Sequence, residues 1–200
     1  MHKRHVLTFG ILIGLLAGTV SAQVVDDSHR HVVITLITAK NRFPTPKMLY
    51  RTGELSTTNR ILMELAIDRQ QPPRLRLNAI RALEYFPTKR TEEVLMTLLY
   101  TRRQVPAFQR ACMRALARAF GVKMLYEIRP FLRDLDHRVR AGAAVALAEI
   151  DDGRIQNMLM NTLVSEEDIT VRLAIERGLS MIESRNVARR PTAPPRALKR

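Results

Sequence analysis

Laid against itself at a shift of roughly 32 residues, the chain carries one pattern of apolar and polar positions four times. The copies run Leu75-Arg76 to Ala82-Leu83, Phe108-Gln109 to Ala115-Leu116, Val139-Arg140 to Ala146-Leu147 and Val171-Arg172 to Gly178-Leu179, at successive offsets of 33, 31 and 32 residues. Each begins on an apolar residue, holds a small or apolar residue at its fifth place (Ala79, Cys112, Ala143, Ile175), and closes on a small residue followed by Leu. First, fifth and eighth places share one face of a 3.6-residue helix, and the strict alternation of a half-buried strand is missing. The spacing predicts four amphipathic helices whose small side chains permit close approach.

A second apolar, amphipathic stretch precedes each copy: Ile61 to Ile67, Val94 to Tyr100, Leu125 to Leu132 and Ile155 to Leu163. Four helical pairs in succession follow from this. Asp136, Asp152 and Asp168 stand where N-caps are required, Pro87 and Gly121 follow helix ends, and Asp151-Asp152-Gly153 reads as a turn. Pro130 falls inside its predicted helix and should bend it. One pair of helices cannot bury its apolar face alone, whereas stacked pairs share a continuous core.

The run Pro130-Phe131-Leu132-Arg133-Asp134-Leu135-Asp136-His137-Arg138-Val139-Arg140, continuing through Ala143-Ala144 and Ala146-Leu147 to Ile150, resembles the HEAT repeat in the short form of the phycobilin lyases. Asp168-Ile169-Thr170-Val171-Arg172 is similar to it as well, and the resemblance covers about residues 59 to 182. It implies an all-α, right-handed α-solenoid of the armadillo type, with about four HEAT-like hairpins whose second helices line the concave face. It also implies that the Asp before each second helix bonds the repeated Arg and ties neighbouring units, a ladder of Asp136, Arg140, Asp168 and Arg172. The first two copies depart from this: Pro72-Pro73 replaces the Asp region of one, and Gln109 replaces the Arg of the other.

The flanks read differently. Residues 23–58 hold no clear copy. Val32, Val33, Ile34, Leu36 and Ile37 form a β-branched run with strand preference, but a stack of helices offers no sheet to join, so a capping helix is expected. Thr45-Pro46 opens a short helical turn that Gly53 closes. Residues 1–22 have the order of an export signal: charged His2-Lys3-Arg4-His5, an apolar run from Val6 to Gly18, then Val20-Ser21-Ala22. That run would make a helix of only about 20 Å, short of a hydrocarbon core of about 30 Å. Cleavage near Ala22 and a periplasmic or secreted chain without a transmembrane segment are expected. Residues 183–200, basic and proline-rich, are expected to be a disordered tail.

Charge narrows the partner. Thirty-three Lys+Arg, 27 of them Arg, face 19 Asp+Glu, for a net +14. The excess lies at one end: residues 59–120 hold 12 basic and 5 acidic side chains, residues 121–182 hold 8 and 10. Arg110, Arg114 and Arg118 recur every four residues, and Arg81 takes in the first copy the place of Arg114 in the second. Such guanidinium groups suit carboxylates or phosphates, although a solvated helix face gives the same row, and the sequence leaves both readings open. With no Trp and 5% aromatics there are few platforms for stacking bases, which argues against nucleic acid. A lone Cys112 lies on an apolar helix face and reads as core.

Enzymatic constellations are scarce: there is no P-loop, no GxGxxG and no His-Glu dipeptide. Asp26, Asp27, His29 and His31 could hold a metal, though a terminus of this kind is more often merely polar. The expectation is therefore a noncatalytic scaffold without cofactor or metal that binds an acidic protein partner. Electrostatic attachment to anionic envelope headgroups or acidic polysaccharide is the alternative.

Overall fold

A computed structural model of the chain describes residues 27–40, 42–101 and 104–189. Every regular element among them is helical, and they include no strand. The chain divides after Phe86 into two compact units. The predicted signal at 1–22 and the tail from residue 190 onward lie outside the described residues.

The first unit holds α1 (27–38), α2 (Pro46–Tyr50), α3 (Leu55–Ile67) and α4 (Pro73–Ala82), which runs on as a 3-10 turn, Leu83–Tyr85. Helical spacing prevails over β preference in α1. Val33 and Ile37, four residues apart, are buried with Leu49, Ile61, Leu62, Leu65, Ile80 and Leu83, and tertiary burial outweighs intrinsic preference. The Ile37 carbonyl, left over at the end of α1, accepts a hydrogen bond of 2.8 Å from the Asn78 side-chain amide. As predicted, α2 starts at Pro46 after the N-cap Thr45.

A polar knot joins α1 to the start of α3. His29 Nε2 lies 3.2 Å from Thr52 Oγ1 and 3.0 Å from Thr58 Oγ1. Thr52 donates its proton to the Leu49 carbonyl and Thr58 donates to the Glu54 carbonyl. The two hydroxyls also lie 3.0 Å apart, so the imidazole and both threonines form one hydrogen-bonded cluster. That nitrogen is within hydrogen-bond distance of both threonines; Asp26, considered with it above, lies outside the described residues. Gly53 belongs to the same knot, because a Cβ there would stand 2.7 Å from His29 Cε1.

The second unit contains α5 (Lys89–Leu99), α6 (Pro106–Phe120), α7 (Leu125–Ile128), α8 (His137–Glu149), α9 (Arg154–Ser165) and α10 (Ile169–Ala188). Helices α6, α8 and α10 pack side by side, with α5 against α6 and α9 against α10. The first and fifth places of the repeat are buried throughout: Leu75, Phe108, Val139 and Val171, then Ala79, Cys112, Ala143 and Ile175. Small residues set the helix approach, since a Cβ on Gly178 of α10 would meet Ala148 Cβ at 3.0 Å. The pattern changes on the outer face of α10, where exposed Glu176 and Ser180 replace the buried Ala144 and Ala148 of α8.

Helix ends follow the predicted punctuation. Asp136 accepts from the Arg138 amide at 2.8 Å, and Asp168 accepts from Thr170 and Val171 at 2.9 and 3.1 Å. Asp152 serves α9 from one residue farther out, accepting from the Arg154 amide at 2.9 Å. Gly121 closes α6 at φ 57°, a left-handed conformation that favours glycine. Pro130 has the disruptive effect expected of it: α7 stops at Ile128, and the chain continues as a 3-10 turn, Arg129–Arg133.

Two expectations need correction. The tail was to begin at residue 183, but α10 continues to Ala188. Arg185 donates to the carbonyls of Ile150 and Ala148 at 3.0 and 2.6 Å, and Arg189 pairs with Asp151 at 2.7 and 2.6 Å. Those contacts satisfy carbonyls left open at the end of α8 and hold the added turns in place.

The second correction concerns the ladder. Arg140 bonds Glu166, through Nε to Oε2 at 2.8 Å and Nη2 to Oε1 at 2.9 Å, while its Nη1 reaches the Asp134 carbonyl at 2.9 Å. Asp136 instead grips its neighbour Arg138, and Arg172 ends on the carbonyls of Leu163 and Glu166, both at 3.0 Å. Asp136 and Asp168 are occupied as N-caps, so the tie between α8 and the α9–α10 turn is an Arg–Glu fork.

Candidate functional site

The predicted basic row is real on α6, and it is partly neutralised. Arg110, Arg114 and Arg118 are all exposed along one side of the helix. Glu149, at the end of α8, accepts from Arg114 at 3.0 Å and lies 3.3 Å from Arg118 Nε. Arg110 lies with its stem on Gly142 of α8: a Cβ there would overlap Arg110 Cγ and stand 3.1 Å from its Cβ. The glycine thus makes room for the arginine stem, while the two arginines farther along share one carboxylate.

Arg81, assigned to the same row from its place in the repeat, belongs to α4 of the first unit. It is exposed, with its guanidinium carbon 4.2 Å from the centroid of Phe43. A cation over an aromatic face is held in place without losing its charge.

A second basic feature, which the repeat alignment passed over, lies within the second unit. A groove of about 850 Å³ runs between the α7 to Arg129–Arg133 segment and α9. Arg129 and Arg133 stand on one wall, and Arg154, Asn157 and Asn161 on the other. Places 154, 157 and 161 follow the i, i+3, i+7 rule and share a side of α9. Apolar Pro130 and Met158 lie between the polar groups.

Arg154 is preorganised. Its Nε and Nη2 bond both oxygens of Asp152 at 2.8 Å, and its Nη1 donates to the Tyr126 hydroxyl at 2.8 Å. Three of its five N–H donors are used, which leaves two for another acceptor. The hydrogen bonds from Arg154 hold the Asp152 carboxyl down to about 2, and the same pairing raises Arg154 above its ordinary value. Glu166, the acid lining this groove, is already engaged by Arg140. Arg129 and Arg133 are exposed and form no ion pair with the described residues.

Together the two features offer guanidinium forks and side-chain amides, the chemistry of recognising carboxylates and peptide groups. No cluster of three or more His, Cys, Asp or Glu able to hold a metal occurs among the described residues, and none of their helices is long and apolar enough to cross a membrane. The chain matches no family model and no curated protein sequence.

Proposed function

We propose that this chain is an exported, noncatalytic scaffold of HEAT-like helical pairs that binds a protein partner with an acidic surface. The observation that carries the reading is the side-by-side packing of α6, α8 and α10, each derived from one copy of the repeat, with exposed arginines along α6. Stacks of helical pairs bury a shared core and leave a broad rigid surface, a form suited to protein recognition. Surface chemistry agrees with an acidic partner: Arg81, Arg110, Arg114 and Arg118 are exposed, and the chain as a whole is at +14. Export rests on the charged, apolar and small-residue order of residues 1–22.

The test is affinity capture from the native envelope with the processed protein at low and high salt, repeated with Arg81→Glu combined with Arg114→Glu. A saturable protein partner should be retained by the parent and lost by the variant, while the helical circular-dichroism signal stays intact. Arg114→Glu also places a carboxylate beside Glu149, so the local field changes sign. Unchanged capture would dismiss these arginines as the contact surface. Salt-sensitive retention on anionic vesicles or acidic polysaccharide, with no protein partner, would favour direct envelope attachment instead.

A further inference from the structure

We infer that the groove between the Arg129–Arg133 turn and α9 is a binding site for an extended acidic peptide segment, distinct from the arginine row on α6. Three observations point to this occupant. The charges of Arg129 and Arg133 are not neutralised by an ion pair with the described residues, and the one acid in the lining, Glu166, is spent on Arg140. Arg154 is fixed by Asp152 and Tyr126 with two donors to spare. Asn157 and Asn161 stand on the same wall, and each side-chain amide can both donate to a peptide carbonyl and accept from a peptide N–H.

The spacing suits a peptide. Residues four apart on a helix rise about 6 Å, and alternate residues of an extended chain are about 6.7 Å apart and face the same way. A strand lying along α9 could therefore meet the two asparagines with successive backbone groups of one edge. Its acidic side chains leave the strand at right angles to that edge, and those on one face come within reach of the long arms of Arg129 and Arg133, four residues apart along a 3-10 turn of about 2 Å rise per residue, hence about 8 Å. Pro130 and Met158 between the walls give the backbone and aliphatic stems an apolar contact. A nucleic acid fits this site less well: Tyr126 is the single aromatic side chain in its lining, and its hydroxyl is bound to Arg154.

The probe is a fluorescein-labelled octapeptide of alternating Glu and Ser, titrated by fluorescence anisotropy against the whole chain at low salt. Saturable binding is expected, weakened about tenfold or more by Arg129→Ala with Arg133→Ala, since each charge-assisted contact is a strong one. Asn157→Ala with Asn161→Ala should weaken the peptide severalfold while leaving its salt dependence unchanged, the mark of backbone recognition. Arg177→Ala, on α10, should leave the affinity within twofold. All of these side chains except the two asparagines' amide groups act through charge, and all are exposed, so circular dichroism should be unaltered throughout.

Absence of saturable binding overturns the proposal. So does equal weakening by Arg177→Ala, which would place the peptide outside the groove, or an asparagine pair without effect, which would reduce the groove to a patch of charge. Displacement by free glutamate or inorganic phosphate at concentrations similar to those of the peptide would also overturn it, by making this a small-anion site. Loss of partner capture in the Arg81 and Arg114 variant bears on the scaffold reading alone, so the two can fail separately.

Discussion

Removing Glu166 should loosen the junction between α8 and the α9–α10 turn more than any surface ion pair would. Its side chain keeps 7% of its exposure and that of Arg140 keeps 19%, so the pair is largely withdrawn from water. Two parallel N–H donors at 2.8 and 2.9 Å make the contact bidentate. Glu166 also accepts from the Asp168 amide at 3.0 Å, which positions the N-cap of α10. Glu166→Gln removes the charge and turns an NH₂ group toward the guanidinium or toward that amide, so that one donor faces another. A broken buried pair costs about 3 to 5 kcal/mol; the remaining solvent access of Arg140 and its bond to the Asp134 carbonyl place this substitution at the lower end, about 3 kcal/mol.

Arg140→Met should cost a similar amount by stranding the carboxylate. The double variant Arg140→Met with Glu166→Leu should recover part of the loss, because neither charge then remains buried. Urea unfolding followed by far-UV circular dichroism gives the four stabilities of the cycle. A coupling of about 2 kcal/mol is expected, and a value below about 0.5 kcal/mol would refute the claim that the fork ties these helices together.

Two further expectations concern packing and pH. Gly142→Ala should destabilise the second unit by about 1 to 3 kcal/mol through overlap with the Arg110 stem, and adding Arg110→Ala should restore most of it; a melting point untouched by Gly142→Ala would contradict the close approach of α6 and α8. The folded protein holds the carboxyls of Glu166, Asp168, Asp136 and Asp152 below their ordinary values, the last two at about 2, chiefly through hydrogen bonds to Arg140, to the Val171 amide, to Arg138 and to Arg154 respectively. A depressed carboxyl stabilises the fold above its unfolded pKa and stops doing so as pH falls through the folded one. Stability should therefore be flat near neutrality and fall progressively from about pH 4.5 toward pH 2, read as the urea midpoint at a series of pH values.

The helices could be read from the sequence because their signal is local and repeated. Apolar places at one, five and eight, aspartates at N-caps and Pro130 just beyond α7 each act over a single turn, and all reappear in the fold. What the sequence hid depends on which side chain reaches which partner. Arg140 could have met Asp136, Asp168 or Glu166, all close to it in the repeat; it meets Glu166, while Asp136 holds Arg138 and Asp168 caps α10. The basic row shows the same limit. Its periodicity placed Arg110, Arg114 and Arg118 correctly along one helix side, but not Glu149, 35 residues beyond Arg114, which binds two of the three.

The groove was missed for a related reason. Arg129, Arg133, Arg154, Asn157 and Asn161 occupy polar places of the first helices, which a search for repeated apolar faces discards. Regional charge counts also concealed it: residues 121–182 sum to −2, with 8 basic against 10 acidic, and on that sum would not attract an anion. Yet five of those ten acids are held by arginines: Asp136 by Arg138, Asp152 by Arg154 and Glu166 by Arg140, and Glu149 and Asp151 by Arg114 and Arg189 from outside the region. Arg129 and Arg133 are left over, both on one wall. Net charge summed along a helical-repeat chain is thus a poor guide to where it binds, because capping and inter-helix contacts remove acids and bases from the surface unequally. Guanidinium groups without an ion-pair partner, in whichever segment they fall, mark where an acidic chain would gain most.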